Sequence, residues 1–485
     1  MNERKGIRGL AVTVVAMTVL AAACGSTDAE PAAGGPGTDP SATTTVATTG
    51  PTVGGWIGGP PNWSAAGGVF EGAAEFEAGT VEADVLSVEE APASEAPVDD
   101  VAIPVEPDGG IGDGAEPLPP DIEPPVQAPL RAGSVDDNVD YQGFLDYLAR
   151  IDDIGVVLRS LDPSDRSVVT VTGANGLPVA GAEVTARAGD VAATLRTTAD
   201  GTVRFHPSFY DMDPSAGVTF EADGAEAIVL AAAEDGTLAV PTDRGATTPV
   251  PLDVLFLLDA TGSMGDEIGR LKSTIDVVAD RVAALEPAPD VRFAMTLYRD
   301  EGDAFVSATY DFTADVAEFQ AALSEVVAEG GGDYPEALDE GLAEALAAPS
   351  WREPADAVQL VFIVADAPPQ IGRQVPVAYP DSIRTAIGRG IKIFPVASSE
   401  SDDQAEAVFR QMAQATGAPF VFLSYGAGGA ATGGSTDIQS TDYEELALDE
   451  LVVRLIAEEL NDLGGGEPIT VPTTVAPSIT NPDGQ

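Results

Sequence analysis

The sequence predicts a multidomain protein in which a mostly parallel, doubly wound α/β sheet follows a small all-β sandwich and a long disordered N-terminal linker. Three observations support this fold class. From Leu252 onward, short apolar runs alternate with helical periods. Before them, alternating strand patterns broken by turn sequences fill residues 166–245. A segment rich in Gly, Pro, Thr and acidic residues comes first, and the 485 residues leave room for two or three domains.

The composition restricts the chemistry available to this chain. Its 23 Lys and Arg against 79 Asp and Glu give a formal net charge of −56, which repels nucleic acid and anionic lipid and attracts Ca²⁺ or Mg²⁺. Cys24 is the single cysteine, so no intrachain disulfide and no thiolate metal cluster can form. His206 is the single histidine, which excludes a multi-histidine metal site. Any chemistry must therefore depend on carboxylates, hydroxyls and backbone groups.

The N-terminus predicts export and lipidation. Basic residues precede an apolar stretch, a pattern typical of a cleaved signal peptide over residues 1–23. The small residues of LAAACGS before Cys24 resemble the lipobox of bacterial lipoproteins, although Ala21 stands where leucine is most common. This resemblance implies that Cys24 is lipidated and anchors the chain to the outer face of the cytoplasmic membrane. The alternative is an ordinary signal peptide with a chance cysteine.

Residues 24–134 and 464–485 show no persistent helical or strand period, which predicts a disordered linker and a disordered tail. Between them, residues 135–165 contain VDYQGFLDYLARI, whose apolar side chains share one helical face and predict a short helix. Residues 166–245 carry NGLPVAGAEV and TTADGTVRF, which resemble the transthyretin-like sandwiches of carboxypeptidase regulatory modules. That resemblance implies a β-sandwich that stiffens or presents its neighbour.

Residues 250–463 predict the α/β domain. Its apolar strands are almost unbroken by polar residues, as expected of strands that helices cover on both faces. These runs are LDVLFLLD, VRFAMTLYRD, AVQLVFIVAD, IKIFPVA and PFVFL. Helical stripes separate them, and the last helix, YEELALDELVVRLIAEELNDLGGG, ends at glycines. Alternating β and α elements predict a mostly parallel sheet between two helical layers.

Oxygen-bearing side chains follow two strands of this predicted sheet. The first strand ends at Asp259, with Thr261 and Ser263 at two-residue spacing, and the fourth strand ends at Asp366. The carboxyl ends of parallel strands meet at one edge of a sheet, where ligands bind. We therefore expect these four side chains to lie together; the alternative is that the two aspartates only terminate strands.

Tracing the chain direction brings three further carboxylates to the same edge. Asp300 and Asp303 follow the second strand, and Asp333 lies in the loop GGGDYPEAL. Oxygen ligands without nitrogen or sulfur suit Mg²⁺, Ca²⁺ or Mn²⁺. Asp300 and Asp303 fit solvated turn carboxylates as well as ligands. Asp333 with Glu336 also has the spacing of a helix capping box.

The motifs DATGSM, GGGDYPEAL and VADAPP resemble the von Willebrand factor type A domain and its metal-ion-dependent adhesion site (MIDAS). The resemblance implies a Rossmann-like fold with metal ligands at Asp259, Thr261, Ser263 and Asp366. A threonine in the intervening loop is the family's usual further ligand, and the nearest position here is Asp333. A carboxylate there would partly neutralise the ion and weaken its attraction for an acidic ligand. We therefore hypothesise a site that favours Ca²⁺ or uses metal to order the surrounding loops.

Together these features predict an extracellular, membrane-anchored lipoprotein whose von Willebrand factor type A domain binds a divalent metal and mediates metal-dependent protein binding or adhesion. The expected partner is a protein with an acidic side chain that completes the metal coordination; the lipid is the only expected membrane contact, and nucleic acid is excluded. We expect no enzymatic activity, because no nucleophile motif or general base other than carboxylates is present. The alternatives are an envelope scaffold that metal only stabilises and a metal-assisted hydrolase.

Overall fold

The computed structural model describes residues 129–471 apart from 243–248, 333, 354–356, 399–400, 464–467 and most of 426–442. The predicted signal peptide, Cys24, the linker up to residue 128, the ligand candidate Asp333 and the end of the tail lie outside the described residues. Within the described ranges, no helix is long and apolar enough to span a bilayer.

The described residues form fifteen strands and seven α-helices, numbered here in chain order. The strands are β1 (Arg131–Val135), β2 (Ser167–Thr172), β3 (Glu183–Ala188), β4 (Val191–Arg196), β5 (Thr202–Phe205), β6 (Val218–Ala222), β7 (Ile228–Leu230), β8 (Gly236–Ala239), β9 (Pro251–Asp259), β10 (Asp290–Tyr298), β11 (Ser307–Thr313), β12 (Val358–Ala365), β13 (Lys392–Ala397), β14 (Phe420–Ser424) and β15 (Leu446–Ala447). The helices are α1 (Tyr141–Asp153), α2 (Gly265–Ala283), α3 (Val316–Ser324), α4 (Leu338–Ala347), α5 (Tyr379–Arg389), α6 (Asp403–Thr416) and α7 (Leu448–Asp462).

An eight-stranded sheet in the order β11-β10-β9-β12-β13-β14-β1-β15 forms the centre of the protein. The five strands from β10 to β14 in this order pair in parallel, whereas β11, β1 and β15 pair antiparallel with their neighbours. Helices α2, α3 and α7 cover one face, and α4, α5 and α6 cover the other. All eight residues of β12 are buried, because apolar side chains on both faces meet a helical layer. The sheet confirms the predicted mostly parallel α/β fold.

The main sheet begins before the predicted α/β domain does. Strand β1 lies almost entirely within residues 24–134, which the composition assigned to the linker, and it pairs antiparallel with β14. The chain then forms α1 and the two small sheets before it returns to the main sheet at β9. Residues 167–239, called the β unit below, are therefore inserted between two strands of one sheet.

The β unit contains a three-stranded sheet, β5-β2-β8, and a four-stranded sheet, β4-β3-β6-β7. The buried side chains of both sheets form one apolar cluster with those of α4, α5 and α6. At the base of the main sheet, the buried Lys392 ammonium lies 2.6 Å from Glu459 of α7 and 3.7 Å from Asp200 of the β unit. Burial would lower the pKa of Lys392, but these two carboxylates raise it above its usual value. The β unit thus packs directly on the α/β domain.

A buried ion pair connects the start of the chain to α6. Arg410 donates two hydrogen bonds to Asp137, at 2.9 Å from Nε and 2.5 Å from Nη2, and a third to Glu406 at 3.0 Å. Asp137 lies two residues after the end of β1, and its side chain is 4% exposed. The pair fixes the turn between β1 and α1 against the main domain.

Replacing Asp137 with alanine is expected to destabilise the whole protein by about 3 kcal/mol, because it leaves the Arg410 charge buried with one partner instead of two. Urea unfolding of the full chain measures this free energy. The matched control is Asp152→Ala, which removes an exposed carboxylate from the same helix region and should change stability by less than about 0.5 kcal/mol. Equal stabilities of the two variants would contradict the prediction.

The single histidine is part of the core of the β unit. His206 is fully buried, its Nδ1 lies 2.9 Å from the carbonyl oxygen of Pro163, and its ring stacks on Phe209 with 4.4 Å between centroids. Burial lowers the pKa of His206 to about 3. The imidazole is therefore neutral in the folded protein at neutral pH.

This depressed pKa makes stability depend on pH. The unfolded chain binds a proton on His206 near pH 6.5 and the folded chain near pH 3, so the contribution is complete above pH 6.5 and decreases as the pH falls toward 3. The total loss is about 5 kcal/mol, at about 1.36 kcal/mol per pKa unit. Because the chain has one histidine, its imidazole NMR signal reports the titration without ambiguity. It should stay unshifted down to about pH 4 in the folded protein and titrate near 6.5 in urea; a folded-state midpoint near 6.5 would contradict this.

Candidate functional site

The ends of β9, β10 and β12 bring the predicted oxygen ligands to one edge of the main sheet, called the rim below. Leu258 of β9 pairs with Val364 of β12, so Asp259 and Asp366 follow at nearly the same level on adjacent strands. On the other side of β9, Tyr298 of β10 pairs directly with Asp259. Asp259 is 0% and Asp366 4% exposed. The parallel register thus places the buried carboxylates of Asp259 and Asp366 on adjacent strands at the base of the rim, called its floor below.

Asp259 organises the loop that follows β9. Its Oδ1 accepts hydrogen bonds from the backbone N–H of Thr261 at 2.9 Å and from the Thr261 hydroxyl at 2.6 Å. The Thr261 and Ser263 hydroxyl oxygens are 3.1 Å apart. The second oxygen, Oδ2, is buried and forms no hydrogen bond with any part of the chain that the structure describes. Hydrogen-bond contacts therefore link Asp259, Thr261 and Ser263, while Asp259 Oδ2 has no hydrogen bond among the described residues.

The electrostatics of this floor favour a cation. Burial raises the pKa of Asp259 to about 7, and the charge of Asp366 adds to the rise, while the hydrogen bonds from Thr261 oppose it. The Tyr298 hydroxyl also interacts with this carboxylate, but within the described residues it does not reach hydrogen-bond geometry with Oδ2. Two buried carboxylates on adjacent strands repel each other, and a cation between them offsets that repulsion.

The glycine-rich loop packs against the loop after β9. Glu329 donates its N–H to the Ala260 carbonyl at 3.0 Å, and Gly262 donates to the Gly330 carbonyl at 2.9 Å. Gly331 has a φ of 66°, and a Cβ there would lie 3.1 Å from the Cβ of Thr261. Glycine is therefore required on both conformational and steric grounds. Residues 329–331 are thus held at the rim, and residue 333 lies outside the described residues.

Asp300 and Asp303, the ligand candidates after the second predicted strand, have other partners in the structure. Asp303 Oδ2 accepts hydrogen bonds from the N–H groups of Gly331 at 2.8 Å and Asp300 at 3.2 Å, so it connects the loop after β10 to the glycine-rich loop. Asp300 is buried, and its Oδ1 lies 3.5 Å from Arg373. The same guanidinium pairs with Glu340 at 2.5 Å. Metal binding by Asp300 remains a prediction, and its described partner is an arginine.

Glu336 is a rim carboxylate that the sequence analysis assigned only to helix capping. It is 4% exposed, and its N–H donates to the Pro368 carbonyl, two residues after Asp366. Burial raises the pKa of Tyr298, and the charges of Asp259, Asp366 and Glu336 add to the rise. Helix α4 begins at Leu338 with Ala337 as N-cap and has no side-chain cap within the described residues. Glu336 therefore lies before the cap and beside the rim, rather than in the first turn.

The donor set fits a divalent cation. Two buried carboxylates and two hydroxyls supply hard oxygens, and Asp259 Oδ2 offers an oxygen that no described group uses. Among the described residues, no group of three or more carboxylate, histidine or cysteine side chains is arranged to hold a metal. An ion here would therefore need the Thr261 and Ser263 hydroxyls as ligands. Asp333, which lies outside the described residues, is the remaining predicted ligand.

Comparison with known proteins identifies the domain that carries this rim. Residues 253–425 match the von Willebrand factor type A domain, so the chain contains such a domain. A curated relative, the alpha-protein kinase vwkA of Dictyostelium discoideum, is 31% identical over 118 residues. That match covers 24% of this chain and 18% of the kinase.

Similar solved structures are remote in sequence. BatB from Bacteroides thetaiotaomicron is 12% identical with a TM-score of 0.31, over 43% of this chain and 98% of BatB. The pilus adhesin SpaC from Lactobacillus rhamnosus GG is 11% identical with a TM-score of 0.31, over 46% of this chain and 32% of SpaC. Proximal thread matrix protein 1 from the mussel byssus, solved with a zinc-occupied MIDAS motif, is 16% identical with a TM-score of 0.29, over 34% of this chain and 40% of that protein.

Substituting Asp303 with alanine should loosen the rim, because it removes the acceptor of two backbone N–H groups. A lost hydrogen bond to a charged acceptor costs about 1.5–3 kcal/mol, so amide exchange at Gly331 should accelerate about tenfold or more. Hydrogen exchange with peptide mass analysis of residues 326–332 measures this. Glu301→Ala is the control, because that side chain is 63% exposed. Equal exchange rates in the two variants would show that Asp303 does not hold the loop.

Proposed function

We propose that the rim binds a divalent cation and, with the cation in place, captures a protein partner through an acidic side chain that completes the metal coordination. The von Willebrand factor type A domain at residues 253–425 supports this, because such domains generally bind protein ligands. The floor of the rim supports it independently, because its residues fit a hard cation. Asp259, Thr261, Ser263 and Asp366 would hold the ion, with Asp333 as a further ligand.

The observation that carries this proposal is the buried Asp259 Oδ2. An ionised carboxylate oxygen removed from water without a partner costs several kcal/mol. Its neighbour Asp366 adds repulsion. A divalent cation between them offsets both terms, and the hydroxyls of Thr261 and Ser263 add neutral oxygens. Because the two hydroxyls are neutral, they offset less of the ion's charge than carboxylates in the same positions would, which favours a carboxylate from a partner.

The identity of the cation follows from the ligand at position 333. If Asp333 binds the ion directly, three carboxylates surround it and Ca²⁺, which accepts more oxygens and a less regular geometry, is favoured over Mg²⁺. Mn²⁺ suits the same oxygen donors. The ion would then bind tightly but attract a partner's carboxylate weakly, and its main effect would be to order the loops at 259–263 and 329–332.

We further propose that the protein is a lipoprotein tethered at Cys24 on the outer face of the cytoplasmic membrane. The basic, apolar and small-residue order of the first 24 residues supports this location. Among the described residues of the rim, the Thr261 hydroxyl has a carboxylate, Asp259, as its basic partner, and we propose that this arrangement serves binding rather than catalysis.

Calorimetric titration of the full chain with Mg²⁺, Ca²⁺ and Mn²⁺ tests the site. We expect saturable one-site binding that weakens about 100-fold or more in Asp259→Ala, because the variant loses a direct ligand. Glu301→Gln should bind within about threefold of wild type, since this carboxylate is 63% exposed and is not a candidate ligand. Identical binding by the wild type and Asp259→Ala would eliminate the rim as a metal site.

Two alternative functions give different results in further assays. An envelope scaffold would gain thermal stability from the metal, yet its capture of partners would be unchanged by a chelator. A metal-assisted hydrolase would turn over members of a phosphoester or glycan panel, and Asp259→Ala would abolish that turnover. Metal-dependent capture that Asp259→Ala abolishes, without turnover, is the outcome expected of the proposed function.

A further inference from the structure

Tyr298 is a buried polar side chain of the rim that the proposed function does not use. It is the last residue of β10 and pairs directly with Asp259, so the two side chains project from the same face of the main sheet. Tyr298 is 0% exposed, and its hydroxyl forms no hydrogen bond with the residues that the structure describes. Because a buried hydroxyl without a partner costs free energy, its presence here indicates a role beyond packing.

The aromatic ring of Tyr298 is fixed by close packing. Helix α4 contacts it at Gly341, where an added Cβ would lie 2.7 Å from the Cβ of Tyr298 and 2.8 Å from its Cγ. A residue larger than glycine would therefore push the ring away. The carbonyl of Tyr298 accepts a hydrogen bond of 2.9 Å from the N–H of Ala260, the residue after Asp259. Both ring and backbone are thus held beside the floor of the rim.

The hydroxyl of Tyr298 interacts most strongly with Asp259. Burial is the main cause that raises the pKa of Tyr298, and the charge of Asp259 is the next, ahead of that of Asp366. The interaction is mutual: burial and the charge of Asp366 raise the pKa of Asp259, whereas the Thr261 hydrogen bonds and the Tyr298 hydroxyl oppose the rise. Because an ionised carboxylate only accepts hydrogen bonds, the phenol is the donor in this pair.

The acceptor positions of Asp259 leave room for both a donor and a cation. An ionised carboxylate has about four lone-pair positions, roughly two on each oxygen. The N–H and the hydroxyl of Thr261 use both positions of Oδ1. Among the described residues, no group donates a hydrogen bond to Oδ2. One position of Oδ2 is therefore available for an ion and the other for the hydroxyl of Tyr298.

We propose that Tyr298 is a positioning residue of the metal site: with a cation at the rim, its hydroxyl donates to Asp259 Oδ2 and holds this carboxylate in the orientation of a ligand. This inference rests on the proposed function, because it needs the cation. Tyr298 acts through Asp259 and does not bind the ion itself. Loss of such a hydrogen-bond partner of a metal ligand typically lowers metal affinity by about 10- to 100-fold.

Tyr298→Phe tests the assignment, because it removes the hydroxyl and keeps the ring. Calorimetric titration of the full chain with Mg²⁺ and Ca²⁺ should show binding that is weaker by about tenfold or more. The matched control is Tyr147→Phe. Tyr147 is 1% exposed, its hydroxyl also lacks a hydrogen bond among the described residues, and its ring lies against Arg410 of α6.

The control should bind both ions within about twofold of the wild type, because its hydroxyl is separate from the rim. Equal affinities of Tyr298→Phe and Tyr147→Phe would overturn the inference and leave the metal site intact. If the wild type binds neither ion, the proposed function fails and this inference fails with it.

Thermal melting separates a positioning role from a structural one. With a chelator present, Tyr298→Phe should melt within about 2 °C of the wild type, because the ring that packs on Gly341 is retained. In the same excess of Ca²⁺, the variant should melt about 3 °C below the wild type, because a tenfold weaker ligand stabilises the folded state less. An equal decrease with and without Ca²⁺ would overturn the proposal, since the hydroxyl would then serve folding alone.

The hydrogen bond itself has a spectroscopic signature. In the full chain labelled with ¹³C at the Cζ of its nine tyrosines, the signal of Tyr298 is the one missing from Tyr298→Phe. This signal should shift when Mg²⁺ is added, because Cζ carries the donating oxygen, and Asp259→Ala should abolish the shift. A Tyr298 signal that does not respond in a chain that binds Mg²⁺ would overturn the inference. A shift that persists in Asp259→Ala would also overturn it, because the hydroxyl would then donate to another group.

Discussion

The parallel pairing of β9 with both β10 and β12 is the constraint on which the rim depends. Each of these strands runs toward the same edge of the sheet, so the residues that follow them lie together at the rim. Asp259 and Asp366 arrive on adjacent strands, and Tyr298 arrives directly opposite Asp259. A one-residue change in either register would move these side chains to the other face of the sheet. The chemistry of the rim is therefore a consequence of strand register.

Described residues of the rim loops already form hydrogen bonds with one another without a ligand. The backbone of residues 260 and 262 is hydrogen-bonded to that of residues 329 and 330. The Asp303 carboxylate accepts a hydrogen bond from the N–H of Gly331. Thr261 is fixed by two hydrogen bonds to Asp259. The oxygens that would bind a cation are therefore already oriented, so binding does not require the loss of entropy that ordering them would cost. What the described groups leave unsettled at the floor is charge, which is the property that a divalent ion supplies.

The sequence predicted the parts of this structure that depend on local pattern. The buried run before Asp259, the spacing of Thr261 and Ser263, and the alternation of strands and helices suffice to predict the sheet and its edge. Strand β1 could not be predicted in this way, because RAGSV is short, weakly apolar and directly follows a proline-rich segment. The pairing of Asp300 with Arg373 joins residues 73 apart, and only the folded chain brings them together. Glu336 resembled a cap because capping depends on where a helix begins, and that is decided by packing.

The insertion of the β unit changes what counts as the functional domain. A domain bounded at residue 250 would lack β1 and expose the edge of β14, which is an unpaired strand edge inside a layered structure. It would also remove Asp137 from Arg410, Asp200 from Lys392, and Arg159 from Asp339, whose carboxylate lies 2.7 Å from that guanidinium. Each loss leaves a buried charge with one partner fewer. Strand β1 pairs with both β14 and β15, so it completes the main sheet. The functional domain therefore includes residues that precede the β unit in the chain.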